Sequence, residues 1–199
     1  MINDLDRTIS ALLKHSLPPE LVSQVTISFA TPDDQFPPSS VTLPAIDLFL
    51  YDVRENRELR SNEWIVERKS DGTAWRRRSP VRVECSYLVT AWASDSSPDP
   101  AQDEHHMLGE VMKVLLRHPV IPEGILQGDL KGQRPPLPAI TLQPGRLHSV
   151  GEFWQALGGK PKAALNYTVT MGVEVHEPME AGPPVIDKRL RFRSGTQEE

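Results

Sequence analysis

His105 and His106 stand beside Asp103 and Glu104, a crowding of metal-ligating side chains that invites a test for a metal site. Helices that hold a metal space their ligands three or four residues apart, so that the ligands share a face. Adjacent helical residues diverge by about 100° instead. Glu110 follows, but no further ligand stands at a matching spacing. An exposed first turn of a helix is the simpler reading, with a metal-dependent enzyme using His105 and His106 as the alternative. Nucleophilic chemistry finds less support. No Gly-x-Ser-x-Gly elbow occurs. Cys85 falls on the apolar side of an alternating segment, where a thiol acts as a small hydrophobe. Gly158-Gly159-Lys160-Pro161 lacks the spacing of a phosphate-binding loop, and its proline would interrupt the helix such a loop must open. The residues therefore assign no catalytic group, no metal and no cofactor.

Charge clusters point to contact surfaces. Trp75-Arg76-Arg77-Arg78 joins an aromatic ring to three cations. Such a set grips phosphates, but Glu63, Glu67 and Asp71 lie across or near the same predicted hairpin and suit cross-strand pairing. The preferred reading is a charged surface between subunits. Glu55, Arg57, Glu58 and Arg60 form a run of mixed sign, which suits a ring contact where one patch meets a different patch on the next copy. Arg189, Arg191 and Arg193 alternate with Leu190 and Phe192, as in an arm that adds to a neighbour's sheet edge. A net charge of −5 argues against a whole-surface nucleic-acid binder.

The elements that must carry these residues follow from hydrophobic spacing. Ile2, Leu5, Ile9, Leu12 and Leu13 recur at helical period, with Asn3 or Asp4 as cap and Leu17-Pro18-Pro19 as stop. Val25–Phe29 reads as a strand. Ala45–Arg54 is another, with Ile46, Leu48 and Leu50 on one side and Phe49, Tyr51 and Val53 on the other. Trp64–Arg78 reads as a hairpin turning at Asp71-Gly72. Val81, Val83, Cys85, Tyr87, Val89 and Ala91 alternate with polar residues. A helix over 103–117 buries Leu108, Val111, Met112, Leu115 and Leu116. A short strand is expected near Ala139–Leu142, and a brief helix after the capping pair Ser149 and Glu152. Leu165–Val175 alternates again. The fold class is α+β, a mostly antiparallel sheet with a packed helix.

The chain has 199 residues, 38% of them apolar, with 19 prolines and one cysteine. That length fits one domain over residues 1–177, followed by a proline-interrupted basic tail over 178–199. Met1-Ile2-Asn3-Asp4 does not open a secretory signal, and no apolar run is long enough to span a membrane. Folding and assembly in the cytoplasm are expected.

Several segments, in one order, resemble the terminator or cap subunits of extracellular contractile injection systems of the Photorhabdus virulence cassette and antifeeding prophage type. They are Asn3-Asp4-Leu5-Asp6, Ile46–Tyr51 leading into Asp52–Arg60, and Tyr87-Leu88-Val89-Thr90-Ala91-Trp92. Asp103-Glu104-His105, Leu115–Pro122, Phe153–Gly158 and Tyr167–Thr170 complete the set. The resemblance implies a phage tail terminator-like fold and a hexameric ring. It implies inner tube protein and contractile sheath protein as partners, the ring ending tube polymerisation and anchoring the last sheath layer. It requires no catalytic group. A head–tail joining protein of a contractile phage is a further alternative. Longer relatives carry a C-terminal domain where this sequence has a short tail.

Overall fold

In a computed structural model, residues 1–70, 73–134, 136–142 and 150–181 are described. They form two compact units, one from residues 1–60 and 81–173 and the other from the described residues of 61–80 and 174–181.

The first unit is built on five strands, β1 (Thr26–Ser28), β2 (Ala45–Glu55), β5 (Val81–Trp92), β6 (Ala139–Thr141) and β7 (Ala164–Val173). Their order is β1-β2-β5-β7-β6, antiparallel except for the parallel pair β1 and β2. The centre is β5, which is paired along nearly its whole length on both sides. Its alternation divides the sheet. Cys85, Tyr87, Val89 and Ala91 face a core closed by helices α1 (Ile2–Ser16) and α3 (Pro100–Arg117), with the single turn α2 (Pro19–Val22) between them in the chain. Leu5, Ile9, Leu12 and Leu13 supply the buried stripe of α1, as their spacing requires. The opposite sheet face carries Phe49 and Leu88 and is met by the short helix α4 (Val150–Ala156), whose Phe153 lies 6.2 Å from the rings of both Phe49 and Tyr51.

Several sequence expectations change at element ends. Helix α1 begins at Ile2 without a side-chain cap, so neither Asn3 nor Asp4 caps it. Asp4 instead sits in the first turn, bonded to Arg7 and 3.0 Å from the N-terminal amine. Those two cations hold its carboxyl well below the usual range. Helix α3 starts a turn earlier than expected, because Asp99 caps it through Gln102 N–H at 3.3 Å and Pro100 occupies the first position. The buried stripe also differs from the expected one: Met107 and Val114 go inside and Leu116 is exposed. The pair Ser149 and Asp71-Gly72, expected at a helix cap and a turn, lie outside the described residues.

The expected alternation of β2 fails at one point. Leu50 opposes Tyr87, but Asp52, not Tyr51, opposes Ser86, and Val53 opposes Cys85. Residues directly opposite share a face. The irregularity at Tyr51 therefore puts Val53 on the side of Leu48 and Leu50, and keeps Asp52 and Arg54 off the core side.

Helix α1 is pinned to the segment after α3, which forms two 3-10 turns, Glu123–Ile125 and Gly128–Leu130. Thr8 Oγ1 accepts from Gln127 N–H at 3.0 Å, and Asp4 Oδ2 from Asp129 N–H at 3.3 Å. Gly128, at φ 54, lies so close that an added Cβ would stand 2.3 Å from Asp4 Oδ1. Only glycine satisfies both demands.

In the second unit β3 (Trp64–Arg68) and β4 (Ala74–Arg78) form the expected hairpin. Strand β8 (Met179–Glu180) adds to the far side of β4, giving the order β3-β4-β8.

Asp47 is a cost inside this design. It is buried on β2, where Oδ1 accepts from Ala30 N–H at 3.0 Å, Ser28 offers its hydroxyl, and Oδ2 has no hydrogen-bond partner among the described residues. Burial pushes its carboxyl from 3.8 up to about 6. The folded state therefore binds the proton more tightly than the unfolded chain does. The ionised group weakens the fold above about pH 6, and the penalty fades as pH falls towards 3.8. Asp47→Asn is expected to melt higher than the parent at about pH 8. The gap should close on acidification to about pH 4, read by thermal denaturation across the series.

Candidate functional site

The hairpin separates its arginines by strand parity. Trp64 opposes Arg78 and Val66 opposes Arg76, so these four side chains share one face. Arg78 and Arg76 lie over the Trp64 ring, 4.3 and 4.9 Å from its centroid. Such distances are those of cation–π attraction, worth roughly 0.5–1 kcal/mol at an exposed site. Met179 opposes Arg76 and extends the same face. Trp75 and Arg77 belong to the other face, where Arg77 bonds Glu174 and lies 3.2 Å from Glu67. The expected cross-strand pairing thus holds for Arg77 and Glu67. Glu63 takes part through its backbone oxygen, which accepts from Ser79. Among the described residues no carboxylate pairs with Arg76 or Arg78. Sequence alternation alone could have split Trp75–Arg78 into two pairs; the ring of Trp64 gave no sign in the sequence that it would collect the cations.

The run after β2 turns tightly. Asn56 Oδ1 accepts from Glu58 N–H at 3.1 Å and Leu59 N–H at 3.0 Å, while its amide donates to Glu84 at 2.7 Å. This local turn presents Arg57, Glu58, Leu59 and Arg60 to solvent. Arg60 Nε stands 3.2 Å from Glu55 Oε1, an ion pair by distance without hydrogen-bond alignment. Arg189, Arg191 and Arg193 lie outside the described residues.

The two histidines diverge, as neighbours on a helix must. His105 lines a cleft of about 540 Å³ with Asp33, Asp34, Glu104 and Lys162. His106 lines another of about 590 Å³ with Leu21, Gln24, Asp103 and Met107. Among the described residues no group of three His, Cys, Asp or Glu side chains is placed to hold a metal ion. Cys85 is fully buried and its thiol is pushed up to about 11 by that burial, so it stays protonated near neutrality. No helix among the described residues is long and apolar enough to cross a membrane.

One polar cluster escaped sequence reasoning. Lys162 reaches Glu104 at 2.6 Å and sits 4.1 Å above the ring of Trp92, which Phe36 stacks from 4.2 Å. The four residues come from separate parts of the chain, and nothing in their spacing announces the contact. They join the start of α3 to the strand β5 and to the loops at 31–44 and 157–163.

A family model, the Pvc16 N-terminal domain, matches residues 4–187. The fold is also that of the sheath/tube terminator of an extracellular contractile injection system, PVC, in the extended state. That structure is 24% identical, with a TM-score of 0.67, and the match covers 100% of this chain and 65% of that one. The tube-terminating cap of the anti-feeding prophage is similar at 26% identity and a TM-score of 0.59, over 94% of this chain and 60% of that one. The chain thus spans less than two thirds of either protein's length. No curated protein matches the sequence.

Both partners of the Lys162–Glu104 pair are mostly screened from solvent, at 17% and 24% exposure. Glu104→Gln is expected to lower stability by about 1 kcal/mol, between the values of exposed and buried pairs. His105→Ala, at an exposed neighbouring position, should stay within about 0.5 kcal/mol. Urea denaturation of the three proteins measures both.

Proposed function

The chain belongs to the Pvc16 N-terminal domain family, and we propose that it is a structural terminator, the cap of a phage-tail-like contractile injection system. Copies close into a hexameric ring that ends growth of the inner tube and anchors the last layer of sheath. The ring assembles in the cytoplasm and becomes part of an extracellular particle. The observation that carries this reading is the agreement of a family match over residues 4–187 with a fold shared, over nearly the whole chain, with two terminators of such particles.

The role asks for surfaces, and the chain has suitable ones. Arg57, Glu58 and Arg60 project from the turn after β2 with both signs of charge. A heterologous contact needs such a patch to meet a different patch on the next copy. The arginines of the hairpin form a second surface, and the alternating Arg189, Arg191 and Arg193 of the sequence are proposed as further contacts. Catalysis has no part in the role.

The purified protein, viewed by native mass spectrometry and negative-stain electron microscopy, is expected to form closed hexameric rings. Added to growing inner tube, the rings should stop elongation at one end. Arg57→Glu with Arg60→Glu should shift the rings to smaller species while the monomer stays folded by circular dichroism. Monomers that persist at micromolar concentration and bind neither tube nor sheath protein would overturn the proposal.

A further inference from the structure

The hairpin leaves one strand edge open. Ser79 N–H donates to Glu63 O at 3.1 Å, and Lys69 N–H to Thr73 O at 2.9 Å. These bonds mark Glu63–Ser79 and Lys69–Thr73 as hydrogen-bonded pairs. In an antiparallel ladder such pairs alternate with pairs whose backbone groups turn away. Ile65 and Glu67 therefore also bond inward to β4, while Trp64, Val66 and Arg68 turn their N–H and C=O groups outward. With the order β3-β4-β8, no described strand lies on that side.

The face beside this edge has a distinct chemistry. Trp64 and Val66 are 39% and 56% exposed, and Met179 is 45% exposed. Arg76 and Arg78 lean over Trp64, which carries their guanidinium groups towards the open edge. No carboxylate among the described residues neutralises them, whereas Arg77 on the reverse face is held by Glu67 and Glu174. Natural sheets usually blunt an open edge with a proline, a bulge or an inward charge. The outer edge of Trp64–Arg68 has neither proline nor bulge.

We infer that Trp64–Arg68 accepts an extended strand from another protein, one that alternates carboxylate and apolar side chains. Backbone bonds to Trp64, Val66 and Arg68 supply the register. A strand added there lies about 4.8 Å from β3, and side chains two apart on it fall about 7 Å from each other. Carboxylates at that repeat meet the guanidinium groups gathered over Trp64 on one face, and the apolar residues between them extend the other face beside Ile65. The arm of a second copy is a poor occupant, because Lys188, Arg189, Arg191 and Arg193 would bring cations to cations. Nucleic acid lacks a strand backbone to pair with this edge, and its phosphates would also meet the chain's net charge of −5. The inference stands on the hairpin alone. Capping can fail while strand binding holds, and the reverse.

The test uses the full chain and the labelled peptide Thr-Glu-Val-Glu-Val-Glu-Thr, with the same peptide carrying Lys for Glu as control. Fluorescence anisotropy is expected to show binding of the acidic peptide alone, weakening as salt rises. Arg76→Glu with Arg78→Glu should lose roughly tenfold or more in affinity. Val66→Pro removes an outward N–H without touching the β4 ladder, so the hairpin should fold and the peptide should again bind roughly tenfold more weakly. Circular dichroism checks the fold of each variant. Peptide binding indifferent to Val66→Pro would overturn strand addition in favour of plain ionic contact. No binding of the acidic peptide, or tighter binding of duplex DNA or phosphatidylglycerol vesicles at the same arginines, would overturn the assignment of the partner.

Discussion

The double ladder of Val81–Trp92 is the constraint on which the larger unit depends. A strand bonded along both edges has no freedom to slip, because sliding by one residue would exchange its two faces. Tyr87 shows what the register secures. Its ring is buried in the helix-side core, and its hydroxyl donates to Asp6 on α1 at 2.8 Å. The same strand thus fixes both neighbours in the sheet and the first helix above it. With β5 set, the placement of α3 follows from its own apolar stripe, and β1 and β6 merely extend the sheet.

Most of this was legible as periodicity. The strong alternation of residues 81–92 and 164–173 and the helical stripes of α1 and α3 are long patterns that only one packing can satisfy. What escaped was local. The helix expected from residue 103 begins at Pro100, because Asp99 accepts from the free N–H of Gln102 and Pro100 needs no partner. Val114 and Leu116 are both apolar and lie near the two edges of the stripe, so composition alone did not say which faces the sheet, and Val114 is the one buried. Strand β8 was illegible for a different reason. Two residues carry no periodic signal, and Met179–Glu180 becomes a strand only because β4 offers them an edge.

The surfaces were half legible. Charge runs are visible in any sequence, and both the 55–60 turn and the arginines of β4 were found that way. Which charges are spent and which remain free is decided by parity and by partners distant in the chain. Arg77 is consumed by Glu67 and Glu174, and its two neighbours lie over the π face of Trp64, Arg78 also donating to Asn62 O. His105 and His106, adjacent in sequence, line separate clefts. Such surface arithmetic is written by side chains whose neighbours appear only on folding.

The extra residue at Tyr51 gives β2 two characters in one strand. Before it, Ile46 and Leu48 feed the interior; beyond it, strict alternation would have driven Asp52 and Arg54 into the same oily layer. Taking one residue out of phase reverses the polarity of everything downstream without breaking the strand. The ion pair between Asp52 and Arg54 then lies beside Glu84 and Ser86 on the opposite side. A single strand can in this way anchor a hydrophobic interior at one end and launch the hydrophilic turn of residues 56–60 at the other. A rigid lever of that kind would pass any force felt at the turn straight into the middle of the sheet.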